Sequence, residues 1–458
     1  ALKFSHPLLG LGVLSGLPWS TFFQGRDTCL MTLSMDTYGE FDGVKEILET
    51  LEARRALLPG FSMGFRYYSG EIPDKLYMDG SAVFKGADVT PLFILAVDNY
   101  LRWSGDRDFL QHIKHLVRDA AWTFKDHDED RDGLADHGNF STWMEEVDRG
   151  KSAVEVQAIW VQALEAASRI LERSGEASRA RTLKMESNRF RELIMKRFWN
   201  QDANWFYDTI NSEGLPDTRI TANPLVLLVS GLVSRKKAQT MLRRLENREF
   251  TTGWGVRCYS RSNDDYNGLE RYRGNVWSLV TGWAAISEFN YGRPEEGYRY
   301  LETLGKLMEI QMYGAVPEAL QGDRPVPSGS PLQGTASSMI IRGIFEGLLG
   351  LVPDALADKI VLEPTIPGRL ERLKVEGIRL GDTLIDLEVT ASHKVRIKSK
   401  KALRAVVALP VEHEDQASKI EVRGATMSGI RARKGLRGLR AVVSLELRRD
   451  RTVTVLKN

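Results

Sequence analysis

The sequence predicts a mainly α-helical fold, a closed ring (toroid) of paired helices, followed by a smaller antiparallel β-sandwich. From Asp27 to about Gly350, apolar residues recur at three- and four-residue spacing, with polar or Gly-rich loops between the runs. After Asp354 the pattern changes to short β-type runs separated by turns. The predicted domains are residues 1–352 and 353–458, since a chain of 458 residues usually exceeds one compact core.

The first domain is predicted to contain helices at about 27–37, 40–58, 90–104, 106–126, 152–174, 177–199, 222–230, 234–246, 274–290, 294–312 and 334–350. Short turns such as Gly105-Asp106 join several of them in pairs, which is typical of antiparallel helix hairpins. Stacked pairs can form an open solenoid, but a solenoid has a repeat of fixed length and none is detectable. A closed ring is therefore favoured.

The second domain is predicted from strand-like runs at 384–389, 395–397, 405–409, 419–422 and 441–447. Alternation and turn spacing favour an antiparallel sandwich. The basic run 431–440 lacks interleaved aromatic residues, so a solvated hairpin is preferred to a nucleic-acid site.

Composition argues against several other classes of protein. No apolar run reaches the ~20 residues of a membrane span, and a net charge of +2 does not indicate a nucleic-acid binder. Only Cys29 and Cys258 occur, which argues against a disulfide scaffold and favours a cytoplasmic location, although one disulfide remains compatible. The histidines show no metal-ligand spacing and no Gly-rich stretch has a nucleotide-binding pattern, so no cofactor is expected.

Five loop segments combine aromatic, charged and glycine residues, at 18–28, 85–88, 141–145, 273–277 and 316–318. Trp offers a flat apolar face, and Arg and Asp supply hydrogen bonds of fixed geometry, which suits a polyhydroxylated ligand. Because sites usually lie on loops held by a rigid scaffold, the segments predict one sugar pocket.

Seven ordered segments resemble the C-terminal catalytic domain of glycogen debranching enzymes, the amylo-α-1,6-glucosidase family, over roughly residues 8–350. They are PWSTFFQGRDT at 18–28, GADVTPLFILAVDNYL at 86–101, STWMEEV at 141–147, GKSAVEVQAIWVQAL at 150–164, RFWNQDANWFYD at 197–208, TTGWGVR at 251–257 and YRGNVWSLVTG at 272–282. The resemblance implies an (α/α)6 toroid, inverting hydrolysis of α-glucosidic bonds in an α-glucan or oligosaccharide, and no metal in the chemistry. The resemblance also implies that full-length relatives place a β-rich domain before the toroid, and we expect that such a domain is missing from this sequence and could complete the pocket.

Inverting glycoside hydrolysis needs one carboxyl group that protonates the leaving oxygen and another that activates water. The predicted acid is Glu145, because apolar surface beside Trp143 would raise its pKa, and the predicted base is Glu318, in a Gly-flanked loop. The family pattern has Asp where this chain has Glu145, and Glu146 stays an alternative acid. Most loop glutamates are simply solvated, which is the competing interpretation of both residues.

The predicted substrate-binding residues are Trp19, Arg26, Asp27, Asp88, Trp143, Glu155, Arg273 and Trp277. Arg26, Asp27 and Asp88 would bind sugar hydroxyls, and the three Trp residues would be stacking platforms. Asp27 and Asp88 also stand near predicted helix starts, where Asp caps helices well, and Glu155 also suits a helix N-terminus.

Three alternatives stay open. Residues 128–133 resemble the start of an EF-hand loop, but position twelve is Asn139 rather than Glu, so a solvated turn is favoured over a structural Ca²⁺ site. The bond cleaved could belong to trehalose, a rhamnoside or a glycerate glycoside. The chain could also be a carbohydrate-binding protein without catalysis.

Overall fold

The computed structural model describes residues 3–457. Twelve α-helices lie in this range: α1 Gly25–Met35, α2 Phe41–Ala53, α3 Val89–Ser104, α4 Arg107–Ala120, α5 Thr123–Asp126, α6 Val154–Arg173, α7 Ala177–Arg197, α8 Leu225–Val229, α9 Arg235–Leu245, α10 Ser278–Asn290, α11 Pro294–Leu307 and α12 Gly334–Arg342. Each predicted helical range overlaps one of them, except that 106–126 is divided into α4 and α5. A π-helical turn, Gly343–Leu348, extends α12.

Six helices contact one another in a cyclic order. Helix α1 packs on α3, α3 on α6, α6 on α8, α8 on α10, α10 on α12, and α12 on α1. The residues of α10 are buried from Ser278 to Phe289, as expected of an inner helix, whereas the outer helix α7 buries only one stripe. The body of the protein is therefore a ring of six inner helices, with α2, α4, α7, α9 and α11 outside it.

Short strands connect the loops around this ring: β1 Lys3–His6, β2 Gly10–Val13, β3 Gly16–Leu17, β4 Phe23–Gln24, β5 Gly60–Ser62, β6 Phe65–Tyr67, β7 Lys75–Leu76, β8 Ala82–Val83, β9 Ser152–Ala153, β10 Trp199–Asn200, β11 Trp205–Phe206, β12 Thr209–Ile210, β13 Thr251–Thr252, β14 Gly255–Arg257, β15 Val276–Trp277, β16 Ala319–Leu320, β17 Pro327–Ser328 and β18 Leu332–Gln333. Strands β13 to β17 form one antiparallel sheet in sequence order, and β3 pairs with β18. These pairings gather the segments that precede α1, α10 and α12 at one end of the ring.

The C-terminal region consists of β19 Leu351–Asp354, β20 Lys359–Leu362, β21 Arg372–Leu380, β22 Thr383–Thr390, β23 Val395–Ser399, β24 Leu403–Pro410, β25 Ile420–Arg423, β26 Thr426–Gly435, β27 Gly438–Leu447 and β28 Thr452–Lys457. They form two sheets of five, in the orders β19-β20-β24-β27-β26 and β21-β22-β23-β28-β25. The expectation of a wholly antiparallel region is wrong for one pair, because β20 and β24 are parallel. The chain passes through β21 to β23 of the other sheet between them, which supplies the crossover that a parallel pair requires.

The basic run 431–440 lies in the β26–β27 hairpin but is not wholly solvated. Arg437 is half-buried and donates hydrogen bonds to the carbonyl oxygens of Glu346 at 2.7 Å and Gly347 at 2.8 Å, and to Asn290 Oδ1 at 3.0 Å. Arg440 is buried, and it donates to the Pro364 carbonyl at 2.8 Å. These arginines help fasten the sheets to the helical body.

Cys29 and Cys258 are both buried and free. None of the helices between residues 3 and 457 combines the length and the apolar character needed to span a bilayer.

Candidate active site

A cavity of about 610 Å³ lies at the end of the ring where the short strands gather. Its lining includes seven of the predicted site residues: Trp19, Arg26, Asp27, Trp143, Glu145, Trp277 and Glu318. They come from segments as far apart as the start of α1, the loop before α6 and the loop before β16. The fold therefore brings Glu145 and Glu318 to one cavity rather than to separate crevices.

Arg26 is the buried centre of one wall. It lies in the first turn of α1 and donates from Nε to both oxygens of Asp88, at 2.9 and 2.8 Å, and from Nη1 to Glu145 Oε1 at 3.0 Å. Asp74 Oδ1 is 3.9 Å from Nη2. Asp88 is the N-cap residue of α3, but its side chain makes no cap bond, and it is outside the lining of this cavity. Its carboxylate pairs with Arg26.

Glu145 is held by two cations. Besides the Arg26 contact, Lys75 Nζ donates to Glu145 Oε2 at 3.2 Å, and the Glu145 side chain keeps 29% exposure. Burial alone would raise the pKa of Glu145, but the charges and hydrogen bonds of Arg26 and Lys75 prevail and lower the pKa below its usual value. The expectation that apolar surface raises this pKa is therefore wrong, because the carboxylate faces cations as well as Trp143.

Glu318 has a different set of partners. Arg271 donates to Oε1 at 2.5 Å and the Ser330 backbone N–H donates to Oε2 at 2.9 Å. A Cβ at Gly329, whose φ is +87°, would lie 2.4 Å from Glu318 Oε2. The carboxylate position thus depends on a residue without a side chain at 329.

An aromatic cluster supports Arg271. Trp277 stacks on Tyr272 with ring centroids 5.2 Å apart, and Trp143 meets Trp277 edge to face at 5.1 Å. The Arg271 guanidinium lies over both Tyr272 and Trp277, at 5.4 and 5.2 Å from their centroids. Trp143 and Trp277 are 7% and 5% exposed, whereas Trp19 is 62% exposed. Trp19 is therefore the most open of the three predicted platforms.

Asp27 is a third carboxyl group in the cavity. Burial raises its pKa to about 7, with the negative charges of Glu318 and Glu145 adding to the effect and Arg26 opposing it. The side-chain amide of Gln333 lies nearby, with its Nε2 atom 3.5 Å from Asp27 Oδ2. Asp27 does not cap α1, whose N-cap residue is Gln24.

Two more predicted binding residues lie outside the lining of this cavity. Arg273 is outside the cavity lining and its Nε is 3.7 Å from Glu270 Oε2. Glu155 is 1% exposed and accepts from Arg149, whose Nη2 also donates to Asp208 Oδ1 at 2.9 Å. Glu155 thus belongs to a buried ion-pair cluster of the inner ring.

The sequence prediction missed Lys75, Arg271 and Tyr272, which line the cavity. Arg271 and Tyr272 stand directly before the predicted segment 273–277, so proximity was an available signal. Lys75 lies in a predicted loop, and no motif marks it. Glu146, the alternative acid, is exposed at the cavity and forms no ion pair with any residue between 3 and 457.

The acidic residues of the EF-hand-like segment pair with a lysine from the following loop. Carboxylate oxygens of Asp128, Asp130 and Asp136 lie within 4.8 Å of one another. Lys151 Nζ binds Asp130 and is 3.2 Å from Asp136 Oδ1 and 3.4 Å from Asp132 Oδ2. The ammonium group thus neutralises much of the charge that a bound Ca²⁺ would.

Comparison with known proteins places these features in a family. The amylo-alpha-1,6-glucosidase family model matches residues 8–342. No curated protein matches the chain.

Solved structures share the fold at low sequence identity. A sialidase superposes with a TM-score of 0.65 and 14% identity, over 86% of this chain and 37% of the other. The GH63 mannosylglycerate hydrolase from Thermus thermophilus, in complex with Tris, gives 0.60 and 12%, over 74% and 96%. The GH78 rhamnosidase of Bacillus sp. GL1 gives 0.58 and 15%, over 81% and 37%. The chain thus spans just over a third of the sialidase and of the rhamnosidase.

The family match covers most of the chain and includes both Glu145 and Glu318. This family consists of glycoside hydrolases. The chain belongs to the amylo-alpha-1,6-glucosidase family.

Proposed function

We propose that the protein is an inverting α-glucosidase that releases glucose from α-glucans or α-gluco-oligosaccharides, with α-1,6 branch stubs as its substrate. The proposal includes an (α/α)6 catalytic domain at 1–352, a β-sandwich domain at 353–458 and a cytoplasmic location, for which the two free cysteines are the support. The observation that carries the chemistry is that Glu145 and Glu318 share one cavity while each is oriented by different donors.

Glu145 is the proposed general acid and Glu318 the proposed general base. Glu145 transfers its proton to the glycosidic oxygen as the bond from that oxygen to C1 breaks. Glu318 takes a proton from the water that attacks C1 from the opposite face, which gives a sugar of inverted configuration. Arg271 and the Ser330 N–H fix the Glu318 carboxylate in one orientation, as proton transfer requires.

The ion pairs of Glu145 have a consequence for pH. Arg26 and Lys75 lower the pKa of Glu145 against the effect of burial, so the unliganded carboxyl group is mostly ionised at neutral pH. A general acid acts only in its protonated form, and we therefore expect turnover of unactivated glycosides to be fastest below neutral pH.

The test combines a substitution with the stereochemistry of the product. Glu318→Gln keeps the shape of the side chain but removes the base, and turnover should fall about 10³-fold. Proton NMR of the first product released by the unaltered enzyme should show the anomer opposite to that of the substrate. Retention of configuration, or full activity of Glu318→Gln, would reject the inverting assignment.

Glu146→Gln is the matched control for the acid, because Glu146 adjoins Glu145 and lines the same cavity without an ion pair to residues 3–457. This variant should keep turnover within about threefold of the parent, as expected of a surface residue that transfers no proton. A loss as large as that of Glu318→Gln would move the acid to Glu146.

One observation favours a second candidate substrate. Lys75 and Arg271 place two cationic groups at the cavity, which suits a glycoside whose leaving group carries a carboxylate, such as a glycerate glycoside. A panel of isomaltose-type, trehalose, rhamnoside and glycerate substrates, read out by released monosaccharide, separates the two. Exclusive cleavage of an acidic glycoside would replace the glucan proposal.

A further inference from the structure

A second, larger cavity of about 930 Å³ shares no lining residue with the proposed catalytic cavity. Its walls are the β5–β6 hairpin, the segment 84–87 and the loop 136–141. Four phenylalanines line it, and we call it the aromatic groove: Phe61, Phe65, Phe84 and Phe140. None of the four lines the proposed catalytic cavity.

Two of the phenylalanines, one on each side of the aromatic groove, are exposed to solvent. Phe61 is 75% exposed and Phe140 is 41% exposed. Phe140 has a φ of +61°, a left-handed conformation that is uncommon for a bulky residue and costs energy. Such a conformation persists only where the surrounding structure imposes it. At residue 140 it occurs together with a side chain that is exposed to solvent.

The two rims are fixed relative to each other. Lys85 Nζ lies 5.3 Å from the Phe65 ring centroid and 6.0 Å from that of Phe140. A Cβ at Gly138 would lie 2.4 Å from Phe65, so the glycine allows the ring to pack directly on the loop. The rings are therefore preorganised, which lowers the entropy lost when a ligand binds.

The polar groups of the groove suit a neutral ligand rich in hydroxyls. Neither Arg66 nor Lys85 forms an ion pair with any residue between 3 and 457, so their donors are available. Acidic side chains, Glu129 and Asp130, line the same cavity. Mixed charges around flat rings favour a sugar chain over a nucleic acid, which requires a basic surface, or a lipid, which requires a continuous apolar one.

The aromatic groove is connected to the catalytic cavity through one loop. Ser141 lines the groove, Glu145 lines the catalytic cavity, and only three residues separate them. The Ala87 N–H donates to the Ser141 carbonyl at 2.9 Å, and Asp88, the next residue, holds Arg26. A chain bound in the groove would thus lie next to the loop that carries the proposed acid.

We propose that the aromatic groove is a non-catalytic binding site for a segment of an α-glucan chain, which retains the polymer beside the catalytic cavity. The identity of the sugar rests on the proposed function, but the existence of a polysaccharide site rests on the groove alone. Phe61 and Phe140 are the proposed stacking platforms, and Arg66 and Lys85 the donors to hydroxyls.

The experiment uses the double variant Phe61→Ala/Phe140→Ala and the control Tyr38→Ala. Tyr38 is an aromatic residue of intermediate exposure, 52% against 75% for Phe61 and 41% for Phe140, but it follows α1 and so lies at the other end of the ring. Binding is measured by retardation in native gels containing glycogen, and hydrolysis with a disaccharide substrate and with glycogen. The double variant should bind glycogen about tenfold more weakly, as loss of two ring contacts predicts, and should show a higher KM on glycogen. Hydrolysis of the disaccharide should be unchanged.

Two other outcomes overturn the proposal. If the retardation of the double variant is unchanged, the groove does not bind glucan. A groove that is covered by another protein domain would give this result. A parallel loss of disaccharide hydrolysis, with an unaltered melting temperature, would assign Phe61 and Phe140 to the catalytic cavity. Because retardation needs no catalysis, a protein that hydrolyses no glucan but loses glycogen binding in the double variant would sink the proposed function while supporting the groove.

Discussion

Two arginine clusters in the helical body use the same residue types in opposite ways. Arg26 holds Asp88 and Glu145 at the edge of a cavity, whereas Arg149 holds Glu155 and Asp208 inside the ring. The Glu145 side chain is 29% exposed, and those of Glu155 and Asp208 are 2% and 4% exposed. The pairing is alike, but only Glu145 lines the proposed catalytic cavity.

The difference shows what turns an ion pair into a candidate catalytic group. In the closed cluster every charged side chain has its partners in the protein: Asp208, for example, also accepts from Asn223 Nδ2 at 2.7 Å. In the open cluster Lys75 and Arg26 hold Glu145 but leave part of it in contact with the cavity. We therefore expect isosteric substitutions to affect activity in one cluster and stability in the other.

The largest expected effect is that of Glu145→Gln on turnover. Removing the acid should slow hydrolysis of ordinary glycosides about 10³-fold, while the unfolding free energy changes by less than about 1 kcal/mol because the site is partly solvated. Substrates with a leaving group that needs no proton, such as a glucosyl fluoride, should lose far less. An equal loss on both kinds of substrate would contradict the role of Glu145 as acid.

Glu155→Gln should show the reverse pattern. It removes charged hydrogen bonds to Arg149 in a dry interior, which should lower the unfolding free energy by about 2–3 kcal/mol. Activity per folded molecule should stay close to that of the parent. Urea unfolding together with the rate measured on the folded fraction checks this. If Glu155→Gln instead abolishes turnover in a fully folded protein, the separation of the two clusters fails.

Asp27→Asn tests the open cluster through the pH dependence of stability. Burial, reinforced by Glu318 and Glu145, raises the folded-state pKa of Asp27 from 3.8 to about 7. A raised pKa gives stability that is complete below the unfolded-state value and is lost as pH rises through about 7. The parent should therefore lose stability on the order of 4 kcal/mol more than Asp27→Asn between pH 4 and pH 8. Denaturant unfolding at the two pH values measures the difference, and identical losses would contradict the shifted pKa.

The sequence predicted the helices and half of the ten C-terminal strands because their apolar periodicities of about 3.6 and 2 are local properties. It also predicted Arg26, Glu145 and Glu318 as site residues, since they lie in recognisable segments, and the structure places all three at one cavity. The parallel pairing of β20 with β24 depends on the path of the intervening chain, which no local pattern records.

The direction of the Glu145 pKa and the burial of Glu155 could not be predicted from the sequence, because both depend on residues distant along the chain. The predicted direction of the Glu145 pKa was wrong because Lys75, 70 residues earlier, contacts the carboxylate. Glu155 was predicted to bind substrate, and its burial could not be predicted because it depends on both Arg149 and Asp208, which are 59 residues apart. Arg271 and Arg273 lie in one turn, 271–274, and only Arg271 lines the cavity, a difference that depends on the conformation of this turn.

The smallest expected effect is that of Lys75→Met on the pH profile. Lys75 and Arg26 together lower the pKa of Glu145, so removing Lys75 should raise that pKa. Because the acid must be protonated, the decline of kcat/KM at high pH should then move to higher pH. Lys151→Met is the matched control: Lys151 also pairs with carboxylates, but it is absent from the lining of the catalytic cavity. A profile that shifts in both variants, or in neither, would mean that Lys75 does not control the protonation of Glu145.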